Sequence, residues 1–147
     1  LSALTKEITE KRKPDIVFGN AVLENRVLRA KNKGQLAGLL WHGGGFCHGA
    51  IVYRRDLHKE VGMYSEKYKI AMDFNFLLEC FMKGSKAIRV DETVVEIEKP
   101  GVSSNAHQRL KEKRNSVRNK YGRIASILLW LKWNTALRIN ERSGERK

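Results

Sequence analysis

The stretch "WHGGGFCHGAIVYRRDL", Trp41 to Leu57, places three consecutive glycines, two histidines, a cysteine and an arginine pair around one apolar run. Consecutive glycines expose backbone N–H groups that could hold an oxyanion, but that chemistry needs a serine on a Gly-x-Ser-x-Gly elbow. None occurs in the chain, and Ser103 and Ser104 in "GVSSN" lack the second glycine. A metal reading would use His42, Cys47, His48 and His58, without the paired C-x-x-C or H-x-x-x-H spacing of a zinc site. On a strand, the adjacent Cys47 and His48 would also point to opposite faces. A phosphate cradle lacks the Gly-Lys-Ser/Thr that should follow the glycines. A flexible turn leading into a strand accounts for them equally well.

A second candidate is Asp73, which opens the segment "MDFNFLLECFMKG". A carboxylate at a helix N-terminus serves either as a cap or as a base held ready for proton transfer, and the sequence fits both. His48 beside the apolar run is a hydrogen-bond donor or a packed core residue. Arg54 and Arg55 read as a solvated pair leading into a helix, and Tyr64 and Tyr68 as cover for the core edge.

These residues need elements to position them. Residues 1–13 read as the end of a helix stopped by Pro14. Ile16–Phe18 in "DIVFGNAVLEN" reads as a buried strand, and Arg26 to Gly38 as polar turn material. "CHGAIVYR" is a second strand, leading into a short helix, Asp56–Glu60, closed by Gly62. Phe74, Leu77, Leu78 and Phe81 fall at i, i+3, i+4 and i+7, which predicts an amphipathic helix with Asp73 as N-cap and Gly84 at C′. "KAIRVDETVVEIE" gives strand material interrupted at Asp91-Glu92, "KPGVSSN" a loop, and the chain from Asn105 onward a helix. Alternating helices and strands predict an α/β fold with a partly parallel sheet.

Charge is uneven along the chain. The 147 residues carry a formal +13, of which 99–147 hold 13 Lys+Arg against 3 Asp+Glu. A basic helical tail over 106–147 therefore follows a nearly balanced domain over 1–105. Such a tail suits an anionic partner, either nucleic acid or an anionic membrane surface, or is simply solvated. It has no zinc-finger spacing, RNP-like strand or helix-turn-helix, which disfavours nucleic acid. Its apolar run, Ile127 to Leu131, is too short to span a bilayer. Trp130 and Trp133 beside Lys132 and Arg138 suit a membrane interface, or else the run packs on the protein. Cys47 and Cys80, both in apolar surroundings, fit free thiols in a reducing compartment.

From Asp15 to Asn105 the order of motifs resembles the C-terminal, acceptor-side half of family 2 glycosyltransferases with the GT-A fold. The matching features are "DIVFGNA", His48, Tyr53-Arg54-Arg55, "GMYSEKY" (Gly62 to Tyr68), Asp73 at a helix start, and Gly101-Val102-Ser103. Gly49 stands where the family has Gln, and Asn75 where a second acidic residue is frequent. The resemblance implies a partial GT-A (Rossmann-like) mixed sheet flanked by helices. It also implies inverting transfer of a sugar from a nucleotide-sugar donor to a saccharide or lipid-linked acceptor, in cell-surface polysaccharide synthesis.

Asp73 would be the general base. His48, Arg54, Arg55, Tyr68 and Ser103 would bind substrate, and the "WHGGGFCHG" loop would bring His48 beside the donor sugar. The family holds a divalent cation, Mg or Mn, on an Asp-x-Asp motif that this chain does not contain. The expectation is an incomplete domain, inactive without its N-terminal half and working at the cytoplasmic face of a membrane. The competing expectations are a nucleic-acid-binding module and a membrane-surface module without catalysis.

Overall fold

The computed structural model describes residues 13–23, 25–31, 36–97 and 105–144. Its elements run β1 (Ile16–Leu23), β2 (Arg26–Leu28), α1 (Leu36–His42), a 3₁₀ turn (His48–Ala50), β3 (Ile51–Tyr53), α2 (Leu57–Val61), α3 (Met72–Met82), β4 (Ala87–Ile97) and α4 (Ala106–Gly144). The fold is mixed α/β. β1 lies at the centre of the sheet, antiparallel to β3 at its start (Ile16 opposite Tyr53) and to β2 at its end (Ala21 opposite Leu28). Along its other edge it runs parallel to β4.

Side-chain alternation along β1 sends Ile16 and Phe18 into the main core and Val17 into a smaller cluster with Val90. The main core gathers Phe74, Leu77, Leu78 and Phe81 from α3, Leu39 from α1 and Leu57 from α2. Val117 and Trp133 from α4 close it.

β1 is longer than its apolar triplet predicts, running on through Gly19-Asn20 to Leu23. β4 is likewise one strand, and the predicted interruption at Asp91-Glu92 is a bulge. Phe18 pairs with Arg89 but Asn20 with Thr93, so β4 carries the extra residues. Val94 from the bulge lies so close over Gly19 that a Cβ there would meet its methyls at 2.7 Å. Buried Asn20 pins the irregularity: its side-chain amide donates to Asp91 O at 2.8 Å, and its Oδ1 accepts from Ala30 N–H at 3.2 Å.

The α3 helix keeps its predicted end. Gly84 N–H donates to Phe81 O and Ser85 N–H to Cys80 O, a Schellman closure with Gly84 at φ 86°. Its start differs. The N-cap is Ala71, without a side-chain cap, and Asp73 is the second residue of the helix. Glu112 of α4 anchors the segment that enters the helix, taking N–H bonds from Ile70 at 2.8 Å and Ala71 at 2.9 Å. Burial works against that carboxylate, yet these N–H groups and Gln108 hold it below its ordinary range.

The C-terminal helix is not one rod. Gly122 adopts φ 82°, ψ −177°, a conformation that breaks the helix into 106–121 and 123–144. The halves fold back on each other. Arg114 lies 5.1 Å from the ring centroid of Trp130, sixteen positions later, which only a hairpin allows.

The expected helix over 1–13 falls on residues outside those described except Lys13, and the "KPGVSSN" loop lies outside them up to Asn105.

Candidate functional site

The 3₁₀ turn sets His48 just ahead of β3, not on a strand, and the start of α3 sets Asp73 opposite it. His48 Nδ1 stands 3.7 Å from Asp73 Oδ2, with the side chains 54% and 22% exposed. That spacing is too long for a hydrogen bond between them and lets both reach one small polar group from solvent. Asp73 Oδ1 is held by the N–H of Phe74 at 2.7 Å, which fixes the carboxylate and leaves Oδ2 facing His48. A carboxylate fixed this way can accept a proton from a hydroxyl that the imidazole orients.

An aromatic cluster supports the pair from one side. Tyr64 stands edge-on to His48 at 6.2 Å and shares a 2.8 Å hydroxyl–hydroxyl bond with Tyr53. Tyr53 also meets His58 Nε2 at 3.2 Å, and Phe76 packs on Tyr53, His58 and Tyr64. Burial, then the Tyr53 hydroxyl, pushes the Tyr64 phenol above its usual value, so it stays protonated.

The other expected binding residues lie elsewhere. Arg54 is held by Asp15 at 2.7 Å and Glu60 at 2.8 Å, tying β3 to the start of β1 and to α2. Burial disfavours the Asp15 carboxylate, but the Lys86 N–H and Arg54 keep it below its ordinary range. Arg55 is exposed next to it. Tyr68 is only 6% exposed and its hydroxyl accepts from Asn119 Nδ2 at 3.1 Å, so it is core wall with little ring face to offer a sugar. Ser103 lies outside the described residues.

The glycine loop has a structural occupation. Gly43, Gly44 and Gly45 all have positive φ (60°, 116° and 68°). Gly43 N–H donates to Leu40 O and Gly44 N–H to Leu39 O, closing α1. Neither is free for an oxyanion or a phosphate. What approaches the glycines closely is the helical hairpin: a Cβ on Gly43 would lie 3.1 Å from the Trp133 indole, and one on Gly44 3.4 Å from Lys113 Nζ. Trp133 Nε1 donates to Leu40 O at 2.9 Å, and Lys113 Nζ donates to Gly43 O. Trp133, 5% exposed and edge-on to Phe74, is therefore a core residue and not a membrane anchor.

Lys113 escaped the sequence because nothing local marks it within "HQRLKEKRNSVRNK". Its residue is half-buried, but its ammonium sits against Gly43 and over the Phe74 ring, 5.4 Å from the centroid. Desolvation, then the Arg109 charge, lowers it to about 8, with Asp73 pulling the other way. Asn75, the other departure from the family pattern, accepts from buried Ser116 Oγ at 2.8 Å. At Gly49 a Cβ would meet only Val95 methyls at 3.7 Å or more, so the backbone does not require glycine there.

Among the described residues no three His, Cys, Asp or Glu side chains converge to hold a metal ion.

No family model matches the chain and no solved structure matches it. Two curated relatives, PGL/p-HBAD biosynthesis glycosyltransferases from Mycobacterium tuberculosis (strain ATCC 25618 / H37Rv) and Mycobacterium bovis (strain BCG / Pasteur 1173P2), are each 30% identical over 95 residues. The match covers 65% of this chain and 37% of each relative. The chain is thus similar, over most of its length, to part of a glycosyltransferase.

Proposed function

We propose that this chain forms the acceptor side of an inverting, family 2 type glycosyltransferase domain with the GT-A fold, and that Asp73 is its general base. The observation that carries the reading is the Asp73 carboxylate fixed by Phe74 N–H with His48 3.7 Å away, in a chain similar to glycosyltransferases. An acceptor hydroxyl bound to Asp73 Oδ2 attacks the anomeric carbon of a nucleotide sugar. The bond from that carbon to the diphosphate oxygen breaks, its electron pair leaves with the nucleotide diphosphate, and the hydroxyl proton passes to Asp73. Attack opposite the leaving group inverts the anomeric centre. His48 orients the same hydroxyl through a ring N–H, and Tyr64 packs edge-on against the imidazole.

The acceptor is a saccharide or lipid-linked saccharide of a cell-surface polysaccharide, which places the reaction at the cytoplasmic face of a membrane. When bound, a divalent cation would neutralise the diphosphate, and its ligands lie outside the described residues. Kinetics of Asp73→Asn in the protein carrying the complete transferase domain test the reading. The expected result is a kcat loss of about 10²–10⁴-fold with the fold intact. Retained turnover would remove Asp73 from the chemistry.

A further inference from the structure

We propose that the outer face of the 123–144 half of α4 is an interfacial anchor that seats on an anionic bilayer surface. The proposal rests on the hairpin and its charge and does not depend on the transferase reading. Ile124, Ile127, Leu128 and Leu131 follow one another at helical spacing and are 78%, 42%, 62% and 50% exposed. The opposite side of the same half-helix holds buried Ser126 and Trp133, with Leu129 packed on the core. The hairpin thus uses one face for its own domain and leaves the other apolar and uncovered.

The charges around that face select the occupant. Residues 105–139 hold 9 Lys+Arg and a single acidic residue, Glu112. Glu112 is turned inward onto the N–H groups of Ile70 and Ala71. Arg118, Arg123 and Arg138 are exposed, the last two flanking the apolar stripe along the half-helix. A second copy laid on this face would bring like charges together. Nucleic acid would meet the cations but gain nothing from four aliphatic side chains. An anionic lipid surface satisfies both, with acyl chains taking the stripe and headgroups the arginines. Among the described residues no helix is long and apolar enough to cross a membrane, so the segment lies in the interface.

Co-sedimentation of the 147-residue chain with phosphatidylcholine vesicles, with and without phosphatidylglycerol, tests this. The chain should bind the anionic vesicles, less so as salt rises, and Leu128→Glu/Leu131→Glu should bind at least about tenfold more weakly. Both positions are exposed, and an unchanged unfolding midpoint would show that the variant keeps its fold. Absence of binding by the parent chain would overturn the proposal, as would equal binding by the variant. So would a dimer, seen by sedimentation velocity without vesicles, that the same substitutions dissolve. Loss of transferase activity on changing Asp73 would leave the vesicle result untouched.

Discussion

The two ends of "WHGGGFCHGAIVYRRDL" make opposite use of similar residues. In the glycine end the polar groups that matter are engaged: the Gly43 and Gly44 N–H groups close α1, Gly43 O accepts from Lys113, and Trp133 covers the turn. In the histidine end, His48 is more than half exposed and faces a carboxylate without bonding to it. Satisfied groups hold a fold together, whereas a pair held in place but left unbonded is available to a substrate. The conspicuous glycines are therefore architecture, and the inconspicuous histidine is the candidate for chemistry.

That contrast breaks most visibly at Trp133. Trp133→Ala removes a buried indole and its bond to Leu40 O, and chemical unfolding should show a loss of about 3–5 kcal/mol. Next come two glycine substitutions. Gly44→Ala, at φ 116°, should cost about 1–3 kcal/mol, while Gly49→Ala, with only ordinary van der Waals contact to Val95 and no positive φ, should cost under about 0.5 kcal/mol. Equal costs would mean that the two ends are not built differently.

Lys113 gives a smaller effect with a pH signature. Its folded value, about 8, lies below the 10.5 of the free side chain, so between these the unfolded chain binds more protons and stability rises with pH. Below about 8 both states are protonated and the full cost of the desolvated ammonium is present. Lys113→Met should stabilise the chain by about 1–2 kcal/mol near neutral pH, since partial exposure and the lost Gly43 bond offset part of the gain. It should also flatten the rise above pH 8.

Elements encoded by neighbours in sequence were legible. The apolar spacing of α3, its Gly84 closure, the Gly62 stop of α2 and the buried start of β1 all follow from local pattern. Features decided at a distance were not. His48 sits on a 3₁₀ turn because β3 pairs with β1 only from Ile51. Asp73 is not the N-cap because the helix starts earlier, after Ala71, where the N–H groups of Ile70 and Ala71 are bonded by Glu112 of α4. The single helix expected from Asn105 onward breaks at Gly122, and the change from polar residues before it to an apolar run after it is a usable sign of two helices. That turn brings Lys113 onto Gly43 and Trp133 onto Leu40 and the core. The resemblance singled out Asp73 as a base and His48 as a substrate-binding residue without pairing them; the structure brings them within 3.7 Å, while Arg54 and Tyr68 are held by other side chains.

The central claim is that His48 and Asp73 act on one hydroxyl. A double-mutant cycle of His48→Ala and Asp73→Asn on kcat, in the protein carrying the complete transferase domain, tests it most directly. If the two work as a unit, the double variant should lose little more than Asp73→Asn alone. Losses that simply multiply, or a pair of variants that both retain turnover, would contradict it.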